Sequence, residues 1–272
     1  MKKVYLLSLV FILATGFFMS CKKDKGDPPV LPPEGSMTID FSNFVASSKS
    51  AAAFSDIKGI NQINWEFSAT VAGIWNTLLT TTLIVPVAAF KVATDQEPVY
   101  LSDKTWQWSY DVPVALTTYK ARLTGQIRAS DVLWQMHITK EGTGGYNEFL
   151  WFEGTSKLDG TSGQWILNQS AQVPEACLQI DWTKTSASIA TIKYTYVKTS
   201  QPSTGSYIEY GLQVSGDYDA YYSIYYNNGN GFSTVDVKWN RTTHNGRVKC
   251  PEFFSDSNWY CWDSNLTNVI CN

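Results

Sequence analysis

The run Thr105-Trp106-Gln107-Trp108-Ser109-Tyr110-Asp111-Val112 alternates strictly between apolar and polar residues. Trp106, Trp108, Tyr110 and Val112 share one face and Thr105, Gln107, Ser109 and Asp111 the other, the period-two signature of a half-buried β-strand. The next run repeats it, with Tyr119, Ala121, Leu123, Gly125 and Ile127 set against Lys120, Arg122, Thr124, Gln126 and Arg128. Similar runs follow near 132–140, 146–154, 164–168, 177–184, 189–198, 206–214, 219–227, 233–241 and 246–250, so about eleven strands are expected. The links between them are short and rich in turn residues, such as Gly142-Thr143-Gly144-Gly145, Asp159-Gly160, Pro202-Ser203-Thr204-Gly205, Asn228-Gly229-Asn230-Gly231 and Asn245-Gly246. Short links exclude parallel crossovers, so sequential strands pair as an antiparallel meander. That many strands strain a flat sheet, and strong curling or closure into a barrel is expected. The fold class is therefore mainly β, a half-barrel or barrel. An outer-membrane barrel is disfavoured by the Lys, Arg and Asp on the polar strand faces.

Upstream of the strands, residues 67–90 carry no charge, and Phe67, Val71, Ile74, Trp75, Leu78 and Leu79 recur at helical spacing. The run reads first as a helix packed on the sheet as a lid, with a break expected near Pro86. A membrane span and a pair of strands over the β-branched stretch 80–85 are the alternatives. A weaker helix over 43–55 and a strand over 37–41 complete the expected elements of one domain, 37–272.

The chain has 272 residues, 44% hydrophobic and 17% charged, enough for a full core, and its formal charge of −3 offers nucleic acid no general attraction. The two histidines argue against a multi-histidine metal site. There is no G-x-S-x-G elbow, phosphate loop or HExxH motif. His137 lies on a polar strand face and His244 at a turn. Glu148, Glu153, Asp181 and Glu209 fall on expected strands, and sequence gives no separation by which to test a glycosidase pair. No catalytic residue and no cofactor is expected.

Residues 1–20 have a basic start and a short apolar run, the pattern of a secretory signal. Phe18-Met19-Ser20-Cys21 resembles the lipobox of bacterial lipoproteins, which implies acylation of Cys21 and attachment to a membrane. By the same resemblance, Lys22 after the cysteine implies the outer membrane, with the leaflet open. Residues 21–36 hold four prolines between Pro28 and Pro33 and read as an extended spacer. In an oxidising compartment Cys177, Cys250, Cys261 and Cys271 allow zero, one or two disulfides. Cys250–Cys261, closing an aromatic loop, and Cys177–Cys271 are the first expectation.

The meander, together with strands apolar on both faces near Phe149-Leu150-Trp151-Phe152 and residues 220–226, resembles the half-barrel with helical lid of the bacterial lipoprotein-carrier (localisation of lipoproteins) family. That resemblance implies a hydrophobic ligand held between sheet and lid, and packing names Trp75, Leu78, Leu79, Trp108, Phe152 and Tyr222 as its candidate lining. The alternative is capture of a glycan by exposed rings in the C-terminal segment 250–272, at Trp259, Tyr260 and Trp262. A structural role in contact with unknown protein partners is the third possibility.

Overall fold

The computed structural model describes residues 25–47, 61–185, 188–213, 216–227 and 229–271. Cys21 and the signal-like segment lie outside the described residues, as does most of the helix expected over 43–55. Fourteen strands form one sheet: β1 (Val99–Tyr100), β2 (Thr105–Val114), β3 (Thr117–Ile127), β4 (Asp131–Lys140), β5 (Tyr146–Lys157), β6 (Ser162–Ser170), β7 (Val173–Lys184), β8 (Ile189–Tyr196), β9 (Tyr207–Leu212), β10 (Ala220–Asn227), β11 (Phe232–Trp239), β12 (Gly246–Lys249), β13 (Tyr260–Trp262) and β14 (Asn268–Val269). Their order in the sheet is their order in the chain, and every described pairing is antiparallel. The meander is thus as the alternation requires. The strands beyond the expected eleven include β1, β13 and β14, two or three residues each, too short for a period to be read.

The main helix, α1 (Ile63–Ala93), runs unbroken through Pro86. The carbonyl that loses its donor there belongs to Thr82, an exposed residue. A four-residue helix, α2 (Pro251–Phe254), precedes β13. At its start α1 meets the last strands: Asn64 Nδ2 donates to the Cys261 carbonyl at 2.8 Å, and Phe67 stacks on Phe253 with ring centroids 4.1 Å apart. At its end it meets early strands, with Tyr110 Oη donating to the Ala89 carbonyl at 2.7 Å and Phe90 against Phe152 and Trp165. One helix touches strands from both halves of a sheet whose neighbours are spaced about 4.8 Å apart, so the sheet is curled around it. Among the described residues β1 and β14 do not pair, and the sheet stays open.

The residues before α1 depart from the sequence expectation. Residues 37–41 form no strand, and two 3-10 turns occur instead, at Glu34–Met37 and Ser42–Ser47. Nor does the whole proline-rich stretch stand away as a spacer, since Pro29 and Pro32 are buried. The Pro29 ring lies against Gly125, and Val30 against Gly160. Trp165 Nε1 donates to Ser36 Oγ at 3.3 Å, Tyr222 Oη to the Asp40 carbonyl at 2.5 Å, and Phe44 packs edge-on to Trp239 at 5.0 Å. Residues 29–44 are therefore a strap across the inner face, held by burial and by hydrogen bonds to strands far away in sequence. Proline's fixed φ suits such a stretch, which has few ladder bonds to donate.

The inner face is tryptophan-rich, with Trp108, Trp134, Trp165, Trp182, Trp239 and Trp262 fully buried. Several lie over a glycine directly across the strand: Trp134 on Gly125, Trp165 on Gly154, Trp182 on Gly163 and Trp262 on Gly246. At Gly154 a Cβ would lie 2.1 Å from the Gln164 carbonyl oxygen and 2.6 Å from the Trp165 ring. The missing side chain is the space into which the indole packs.

Candidate functional site

Filling of the inner face by α1 and the strap decides where a ligand could sit. Of the expected cavity lining, Trp108, Phe152 and Tyr222 are core residues, closed over by Trp134, by Phe90 and Trp165, and by Phe41 and Phe44 respectively. Leu78 is exposed and Trp75 half-buried. Leu79 lines an open space.

That space is a cleft of about 270 Å³ between the strap and α1. Met37, Ile39 and Phe41 form one wall, and Leu79, Leu83, Ile84, Val87 and Ala88 the other, with Thr38, Asn76 and Thr80 as polar members and Tyr194 of β8 reaching it from the sheet. Tyr194 is fully buried, and its Oη has no hydrogen-bond partner among the described residues. Burial holds its pKa well above the ordinary tyrosine value, so the phenol stays protonated and remains a donor. An unmade hydrogen bond in such a place costs the full desolvation of the hydroxyl. The cleft therefore suits an apolar molecule, with the Tyr194 phenol buried behind its wall. Tyr194 was legible only as an inner-face residue beside Ile192, and nothing in the sequence tells an unpaired phenol from a paired one.

The α1 surface beside the cleft is uncharged and needs little from water. Thr77, Thr81 and Thr82 each donate their hydroxyl to the carbonyl four residues earlier, at 2.8 to 2.9 Å.

The cysteines pair differently from expectation. Cys261 is bonded to Cys271, and Cys177 and Cys250 are buried free thiols whose pKa values burial pushes up. Register gives the reason. Val248 pairs with Tyr260 and Arg247 with Cys261, so Cys250 shares the inward parity of Val248 while Cys261 projects to the other side. Cys271 follows the strand paired with β13, which brings its Cα to 5.2 Å from that of Cys261.

The expected C-terminal platform is likewise divided. Trp262 is buried and donates its Nε1 to the His244 carbonyl at 2.7 Å. Tyr260 stacks on Phe254 at 3.9 Å and donates to Asp256. Trp259 alone faces outward, beneath Arg247, Lys249 and Lys238 at 4.3, 5.2 and 5.8 Å from its ring centroid. Elsewhere on the outer face Tyr207, Tyr225 and Phe232 stack in series, with Lys193 over Tyr207 at 3.9 Å.

The four strand carboxylates are already engaged: Glu148 by Arg122, Glu153 by Gln135, Asp181 by Gln164 and Gln179, and Glu209 by the Tyr221 hydroxyl. His137 lies beside Arg122 and is held below its ordinary pKa, first by burial and then by that guanidinium. His244 occupies a left-handed turn position with φ 63°.

These features define an open antiparallel meander curled around one apolar helix, with a small apolar cleft at the helix's side. No protein-family model matches the chain, and no curated protein and no solved structure matches it either.

Proposed function

We propose that this is a lipid-anchored binding protein of the outer membrane that holds a hydrophobic ligand in the cleft between strap and α1, with those two segments acting as the cover. The observation that carries the reading is the apolar cleft itself, with the Tyr194 phenol buried behind its wall. Export and acylation at Cys21 rest on the lipobox resemblance. No catalytic step is included.

The test is mass spectrometry of an organic extract of the purified protein, followed by displacement of a fluorescent fatty acid. Wild type is expected to retain a stoichiometric lipid or take up the probe, and folded Leu79→Lys to do neither. Equal uptake by the two proteins refutes the cleft as the site. Glycan capture is the second reading, favoured by the outer-face stack that ends in the exposed ring of Phe232. It expects a glycan array to show binding that Phe232→Ala weakens without a change in stability.

A further inference from the structure

We propose that the end of the sheet carrying the 101–104 and 158–161 turns is seated on the bilayer, with Val30, Val99, Leu101 and Leu158 dipping into its interfacial layer. The inference rests on the anchor at Cys21 and goes beyond it, because a tether alone leaves orientation free.

Two observations carry it. The first is where the described chain begins. Lys25 Nζ lies 5.7 Å from the centroid of the Tyr100 ring, Pro29 is against Gly125 near the end of β3, and Val30 is against Gly160 in the β5–β6 turn. The chain therefore enters the fold at this end. Three residues separate Lys25 from Cys21, and the four steps along the chain reach at most about 14 Å, so an acylated Cys21 draws this end to the headgroups. The domain has no long leash on which to turn.

The second is what the end presents. Val30, Val99, Leu101 and Leu158 are 56%, 64%, 49% and 45% exposed. Large aliphatic residues in the turns at Leu101 and Leu158, on the edge strand at Val99 and on the strap at Val30 cost solubility in water and gain where they meet an interface. Lys104 and Lys157 stand beside them, but so do Asp103 and Asp159. Attachment is thus apolar and covalent, with little dependence on lipid charge or salt.

The experiment uses the full acylated chain in vesicles of phosphatidylethanolamine and phosphatidylglycerol. Leu101→Cys, Leu158→Cys and, at the opposite end in the β2–β3 turn, the exposed Leu116→Cys are each labelled with an environment-sensitive dye. The native thiols are buried, disulfide-bonded or, at Cys21, acylated. Spin-labelled lipids are expected to quench the labels at 101 and 158 severalfold more than the one at 116, at low and at high salt. Equal quenching at all three positions, or more at 116, overturns the proposal. The mass of the N-terminal peptide separates the two failures. An acylated peptide with equal quenching leaves the anchor standing and removes the orientation. An unacylated peptide removes the anchor, and the orientation falls with it.

Discussion

Replacing Tyr194 by phenylalanine is expected to stabilise the protein, against the usual direction for a deletion in a core. The ring keeps its packing, and what is lost is a hydroxyl that is buried without a partner among the described residues. An unsatisfied buried donor costs about 1–3 kcal/mol, and removing it recovers most of that, less the small void left behind. The net expectation is a gain of about 1 kcal/mol, or about 2–4 °C in Tm for a domain of this size. Tyr222→Phe is the internal control, because its hydroxyl donates to the Asp40 carbonyl at 2.5 Å. There the same change strips the strap of a bond and should cost about 1–2 kcal/mol. Urea unfolding of the two variants beside wild type, compared through the midpoint at constant m, reads both signs. Destabilisation of Tyr194→Phe by as much as Tyr222→Phe refutes the reasoning, since the phenol would then have a partner in solution.

Gly154→Ala is expected to destabilise by about 3 kcal/mol or to prevent folding, because its Cβ meets the Gln164 backbone oxygen and not only a side chain that could yield; thermal unfolding checks this, with Gly142→Ala as the comparison in which a left-handed φ of 79° and no clash sets a smaller cost of about 1 kcal/mol. Cys261→Ser with Cys271→Ser should lower stability by about 3 kcal/mol, the loop-entropy value for a bridge spanning ten residues; unchanged urea midpoints would argue against the pairing. Under native conditions Cys177 and Cys250 should resist alkylation until the chain unfolds, as read by mass increments in increasing urea. The His137 proton should leave below the ordinary midpoint of 6.5 in an NMR titration. The unfolded chain then binds that proton more readily than the folded one, so His137's contribution to stability is present above pH 6.5 and is lost as pH falls below it. Arg122→Gln should move the midpoint upward, and a downward move would sink that assignment.

The meander was readable because side-chain alternation is a local property that the buried face of each long strand must obey. From Trp106 to Val112 and from Tyr119 to Ile127 the inward residues are those the alternation names. What was not readable depends on contacts distant in the chain. Proline-rich residues 28–33 look alike whether extended in water or laid over Gly125 and Gly160, and only the receiving surface decides. The cysteine pairing turned on the register of β12 with β13, which sets Cys250 and Cys261 on opposite sides. The expected lining at Trp108, Phe152 and Tyr222 was assigned to the correct face. Whether that face bounds a void or a packed interior depended on Phe41, Phe44 and Phe90 arriving from elsewhere. The Gly–Trp pairs were partly visible, since a glycine at an inward strand position, as at Gly125, asks what fills its space.

The strap carries a consequence for the order in which the molecule can assemble. Phe44 packs on Trp239, the Asn61 carbonyl accepts from the Asn268 amide at 2.8 Å, and Asn64 reaches Cys261 across 197 residues. The earliest-synthesised part of the domain thus waits for the last before its inner face can be covered. Contacts of such long sequence separation form slowly. A chain leaving the ribosome therefore has its inner face uncovered until its C-terminus is free. Slow closure leaves tryptophan-lined strands open to self-association until the final hairpin arrives.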